Sequence, residues 1–193
     1  MVQPKLNSKI HEVIVTTSNP DGSPHSAPMG ISEVSGHFII QPFKPSATYN
    51  NLKQHRQCVI NYTDDVRVFA GALTGHRDWA TLACQNIEAH YLSQALAHTE
   101  LEIIAFADND PRAIFTGKIV GEYNHAPFRG FNRAQSAVID AAILVSRLSM
   151  LPAEKVQQEI AYLTIAIDKT AGDRELEAWG WLMAKIKQAG INI

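Results

Sequence analysis

The sequence predicts an α+β protein in which a β-barrel is followed by a helical C-terminal region, and three observations predict it. From Ile10 to about Tyr123, short apolar runs alternate with turn clusters. Beyond Phe131, three segments take helical spacing instead. Between the two textures there is no repeat, low-complexity tract or flexible linker. A helical stretch of about sixty residues buries little surface alone, so one integrated chain is expected, with a barrel over 1–125 and a helical region over 126–193 packed on it.

The elements follow in order. IHEVIVTT and HSAPMGI flank NPDGSP, whose Asn-Pro-Asp-Gly cluster is turn chemistry, and HFIIQPF supplies a third strand. SATYNNLKQHR is helical with Ser46 as its N-cap, and QCVINYT is a strand rich in β-branched residues. DDVRVFAGALTG fits a short helix, while Arg77, Asp78 and Trp79 follow no clear period. ELEIIAFAD and RAIFTGKIVGEY flank NDP as a second hairpin, giving about six strands before residue 125. Three helices close the chain. The first opens at Asn132 and Arg133, with Val138, Ala142 and Val145 on one stripe. The second has Pro152 at an early position and stops at Gly172; the third opens at Asp173 and stops at Gly190.

Composition narrows the function. Lys and Arg number 17 and Asp and Glu 19, a net charge of −2, which argues against a nucleic-acid binder relying on overall positive charge. Charged residues make up 19% of the chain, a low share that often leaves part of a subunit surface to be covered by a partner. The start, MVQPKLNSKIHE, lacks a basic stretch followed by an apolar run, and no segment is apolar enough to span a membrane, so a soluble cytoplasmic protein is expected. Cys58 and Cys84 have no CxxC or Cys/His ligand spacing, and the eight histidines include no i, i+4 pair on a predicted helix, so no metal site is expected. Gly-rich dinucleotide loops, P-loops, HExxH and GxSxG are absent as well.

The most informative stretch is QPFKPSATYNNLKQHRQCVINYT. Asp and Glu are missing from Val34 through Thr63, which holds Lys44, Lys53, His55 and Arg56. A helix start offers unpaired N–H groups and the positive end of the dipole, and Ser46 and Thr48 add hydroxyls beside Lys44, so this start suits a phosphate. The competing reading is that Ser46 only caps its helix, although Tyr49 stands where a reciprocal capping box needs Glu or Gln. In SAPMGI, Pro28 removes a ladder donor and Gly30 a side chain, which fits a bulge, a barrel corner or a flat ligand lying on the strand. Arg133 could bring a guanidinium to a phosphate or a subunit interface.

Taken together, EVIVTT, SAPMGI, PFKPSATYNNL, VINYTDDV and FNRAQSAVIDAAI resemble, in this order, a family catalogued as domain of unknown function 447. The resemblance runs from about residue 10 to residue 185. It implies an FMN-binding split barrel related to flavin reductases and pyridoxamine phosphate oxidases, followed by a helical region, in a homodimer with FMN near the interface. It implies that Lys44, Ser46 and Thr48 receive the FMN phosphate, and that Pro28, Met29, Gly30 and Ile31 line the isoalloxazine. Asn61 is then a polar contact, and Arg133 reaches in from the helical region. The implied activity is a flavin reductase-like oxidoreduction with NAD(P)H or another donor, in a family found beside genes of one-carbon metabolism. The alternative is a non-catalytic module holding FMN or another phosphorylated ligand.

Overall fold

The computed structural model describes residues 9–193; most of the N-terminal stretch read above for a leader lies outside them. Its elements are β1 (Ile10–Ser18), β2 (Pro24–Val34), β3 (His37–Ile40), α1 (Ala47–His55), β4 (Gln57–Tyr62), α2 (Arg67–Thr74), β5 (Thr81–Ala83), β6 (His90–Leu92), β7 (Ala97–Ala107), β8 (Ile114–Asn124), α3 (Arg133–Val145), α4 (Ala153–Thr170) and α5 (Asp173–Gln188). Six strands close an antiparallel barrel in the order β1-β2-β3-β8-β7-β4, and β5 and β6 pair separately.

The barrel follows from strand alternation. Val13 and Val15 of β1, Cys58 and Ile60 of β4, and Leu101 and Ile103 of β7 meet Ile31, Ile40 and Phe115 in one core. The Asn19–Ser23 turn joins β1 to β2, with Gly22 at φ 83° where a side chain would be strained. Pro28 and Gly30 make no bulge, since β1 and β2 stay in unbroken register from Ile10 opposite Ser32 to Ser18 opposite Pro24. Irregularities fall instead in the β7–β8 ladder, between Glu100 and Leu101 and between Ile103 and Ala105.

The chain divides into two compact units: residues 9–63 with 79–127, and residues 64–78 with 128–193. In the second, Val66 and Ala70 from α2 and its approach share a core with Ala137, Val138 and Ala141 of α3, Val156 and Ile160 of α4, and Leu182 and Ile186 of α5. So the short helix read between two strands belongs with the C-terminal helices. The starts of α2, α3 and α5 each have a local cause. Asp65 accepts from the Arg67 backbone N–H at 3.1 Å and is gripped by the Arg67 guanidinium at 2.7 Å. Asn132 Oδ1 caps α3 by accepting from the N–H groups of Ala134 and Gln135. Glu175 accepts from the Gly172 N–H at 3.0 Å, which fixes the entry to α5. The helix before it ends at Thr170, with Ala171 as its cap, two residues short of the expected Gly172. Among the described residues, no helix is long and apolar enough to cross a membrane.

Candidate functional site

The start of α1 carries the first set of candidate residues. Ser46 is the N-cap in extended conformation, and its Oγ accepts from the Tyr49 N–H at 3.2 Å. The hydroxyl hydrogen therefore remains free for an acceptor outside the helix. Ala47 and Thr48 occupy the first turn, where N–H groups have no intrahelical acceptor, and no acid stands in that turn. Thr48, Asn51 and Leu52 form the buried face of the helix. Asn51 fixes that face by donating to Thr17 Oγ1 at 3.0 Å and Asn19 Oδ1 at 3.1 Å. Tyr49 packs by its edge on Phe115 and reaches Asp108 with its hydroxyl at 3.1 Å.

Lys44 is placed differently from the expected phosphate contact. Its Nζ lies 2.7 Å from Asp108 and 2.8 Å from Asp110, in the turn between β7 and β8. The hydrogen bonds it donates to both carboxylates hold the ammonium above its ordinary pKa, so it is charged and already paired. The Lys44 hydrogen bond in turn holds the Asp108 carboxyl below the usual carboxylate range, helped by Tyr49 against the opposing pull of burial.

The four residues expected along a flat ligand do not share a surface. The pleat sends Ile31 into the barrel core and packs Met29 against it. Pro28 and Gly30 occupy the opposite face of β2. A Cβ on Gly30 would stand 2.9 Å from Ile10 Cγ2, so packing across from β1 accounts for this glycine without a ligand. Asn61 is tied into the fold. Fully buried, it donates to the Ile14 carbonyl at 3.0 Å and Thr16 Oγ1 at 2.9 Å, and accepts from the Leu92 N–H at 2.7 Å. Both of its donor hydrogens are taken up by the protein. Arg133 is the first residue of α3, in the second compact unit.

A second polar cluster had no signal in helical spacing. On β7, His98 and Glu100 point outward from the barrel beneath β5, β6 and the loop joining them, and both are buried. Glu100 accepts from the N–H groups of Gln85 and Asn86, each at 2.8 Å. Burial works to raise its carboxyl, but these two bonds, together with the Asn86 and His98 side chains, outweigh it and hold the group below the usual range. His98 Nδ1 is 2.8 Å from His125 Nε2, and Tyr91 stacks on both rings at 4.0 and 5.0 Å. Burial, with the Glu100 charge beside it, pushes the Cys84 thiol up to about 12. The signal available in sequence was His-x-Glu at strand spacing, which puts both side chains on one face.

A closed six-stranded antiparallel barrel with a capped helix between its third and fourth strands is the split-barrel architecture of flavin-binding proteins. The chain belongs to the family described as protein of unknown function 447: residues 11–126 match its N-terminal domain and residues 132–184 match a second region of the same family. It is similar to an FMN-bound protein of that family from Methanosarcina mazei, at 20% identity over 93% of this chain and 96% of the other, with a TM-score of 0.79. An NADH:FAD oxidoreductase from Streptomyces globisporus matches at 16% identity over 65% of this chain and 87% of its own, with a TM-score of 0.51. An FMN-binding protein from Thermus thermophilus, solved with 1-cyclohex-2-enone bound, matches at 12% identity over 64% and 76%, with a TM-score of 0.52. No curated protein matches the sequence.

Proposed function

We propose that this chain binds FMN and works as a flavin-dependent oxidoreductase with a nicotinamide dinucleotide as its electron donor. The observation that supports the reading is the α1 start, where the first turn holds no acid, Ser46 is the N-cap and Thr48 follows it, an arrangement suited to an anion. The similarity to an FMN-bound family member and to an NADH:FAD oxidoreductase supports it. The residues that would hold the phosphate are Ser46, Thr48 and the first-turn N–H groups. Pro28 and Gly30 offer the β2 surface that remains for the ring. When bound, FMN would supply two-electron, hydride-accepting chemistry, while the protein provides binding, orientation and exclusion of water.

A homodimer fits the same reading, supported by the apolar rings of Phe128, 59% exposed, and Phe131, fully exposed. Flavin retained after desalting, near one per chain, is the expected result. Ser46→Ala combined with Thr48→Ala should weaken FMN binding at least ~10-fold, because each hydrogen bond lost to a charged group is worth about 1.5–3 kcal/mol. Unchanged affinity in the folded double variant would remove the phosphate seat. Oxidation of NADH or NADPH by the loaded protein separates an oxidoreductase from a module that only stores flavin, since the latter leaves the dinucleotide unconsumed.

A further inference from the structure

Three donors of different chemistry converge on the outer face of the barrel, in a place that the flavin reading does not use. The Cys84 thiol, a His98 ring nitrogen and a Glu100 carboxylate oxygen all lie within 4.8 Å of one another. His98 Nε2 is 3.4 Å from Glu100 Oε1, and these two residues are 1% and 0% exposed. We infer that Cys84, His98 and Glu100 form a binding site for a single borderline-soft divalent cation of the zinc class.

The surroundings are those a metal centre needs. A ligating imidazole is oriented by a hydrogen bond at its other nitrogen, and His98 Nδ1 has one with His125 Nε2 at 2.8 Å. With Nδ1–H donated to His125, Nε2 presents its lone pair on the side of Glu100 and Cys84. A ligating carboxylate is likewise held from outside, and Gln85 and Asn86 donate to Glu100, one to each oxygen, leaving further lone pairs free. Tyr91 and Tyr123 stack on His98 at 4.0 and 4.8 Å and keep its ring in place. Bonds of about 2.0–2.3 Å to a tetrahedral ion set donors roughly 3.3–3.8 Å apart, so a small side-chain adjustment closes the trio.

Charge decides the kind of ion. A thiolate and a carboxylate neutralise one divalent cation, which leaves no net charge in a buried place. Binding converts the Cys84 thiol to thiolate and releases its proton to solvent; no electron is transferred. A sulfur donor with an imidazole selects against magnesium and calcium, whose ligands are oxygen. Three protein ligands leave a fourth position for water or a small anion, as in metal sites that do chemistry.

The test uses full-length protein stripped with a chelator under reducing conditions and titrated with cobalt(II). The expected result is a thiolate-to-cobalt charge-transfer band that saturates at one cobalt per chain and disappears when zinc is added. Cys84→Ser should abolish the band while keeping the circular dichroism of the parent, and Cys58→Ser, at a thiol inside the barrel core, should leave it intact. Glu100→Gln keeps the shape of the carboxylate and should weaken cobalt binding at least ~10-fold. If Cys84→Ser does not fold, His98→Gln serves in its place, with loss of saturable binding expected. A folded parent protein without a thiolate band at millimolar cobalt overturns the site, as does a band that survives Cys84→Ser. Neither result bears on the flavin reading, whose readout is flavin retention.

Discussion

Lys44 sets how strongly the start of α1 can draw an anion, because two carboxylates hold its charge. Replacing Asp108 and Asp110 with Asn frees the ammonium, while an amide oxygen at position 108 can still accept from the Tyr49 hydroxyl of α1. FMN affinity should then rise about two- to five-fold, the range that exposed ion pairs are worth, as read by fluorescence quenching of the flavin. A fall in affinity would show that the pair positions the helix instead. Asp108 also has a signed pH dependence. A carboxylate whose folded pKa lies below its unfolded one adds stability above the unfolded value and loses it as pH falls through the folded one. The tie between Lys44 and Asp108 is therefore complete at neutral pH and released only in acid. A carbon-13 titration should place the Asp108 midpoint below the ordinary 3.8, and a midpoint at or above that value would mean that the bridge is not formed in solution.

The pair β5 and β6 shows what an element with almost no sequence signature costs to hold. Each strand has three residues, too few for alternation to show, and the pair stays in place through polar pins: Asn61 to Leu92, Glu100 to Gln85 and Asn86, and Gln57 to Glu88. Asn61→Leu leaves the buried Leu92 N–H without its acceptor and should cost about 1–3 kcal/mol, visible as a lower urea midpoint. Gly121→Ala should cost a similar amount through a different cause, since its Cβ would fall 2.5 Å from Asn86 Nδ2 and 2.8 Å from Tyr123 Cε2, separating a side-chain hydrogen bond of 2.7 Å. A wild-type midpoint for either variant would mean that the hairpin is not pinned there. This element also marks the limit of legibility. Strand alternation, the Asn-Pro-Asp-Gly turn, the Ser46 cap and the helix opening at Asn132 and Arg133 are local signals, and each appears in the structure where the sequence puts it. The grouping of Cys84, His98, Glu100 and His125 is set by which strands become neighbours, and a search for helical His spacing passes over it. The candidate residues divide in the same way: the place of Ser46 and Thr48 at the start of α1 was readable from the cap, while the inward turn of Met29 and Ile31 and the pairing of Lys44 depend on partners far along the chain.

At the scale of the whole molecule, the order of the chain and the grouping of its helices disagree. Asp64–Asp78 lies between two strands of the first unit, yet α2 shares its core with α3, α4 and α5. A chain ended after residue 127 should therefore expose Val66 and Ala70, bind a hydrophobic dye and aggregate, whereas the same truncation with Asp64–Asp78 replaced by a short Gly-Ser linker should stay dispersed in light scattering. If the first truncation is equally well behaved, α2 needs no help from the C-terminal helices. The ion pair between Arg67 and Glu177 spans 110 positions of chain. At about 5–20 residues per second, a ribosome needs roughly 5–20 s to deliver the second partner after the first. During that interval an apolar helix waits uncovered on a nascent chain, and the speed of translation itself becomes one of the conditions under which this protein reaches its native state.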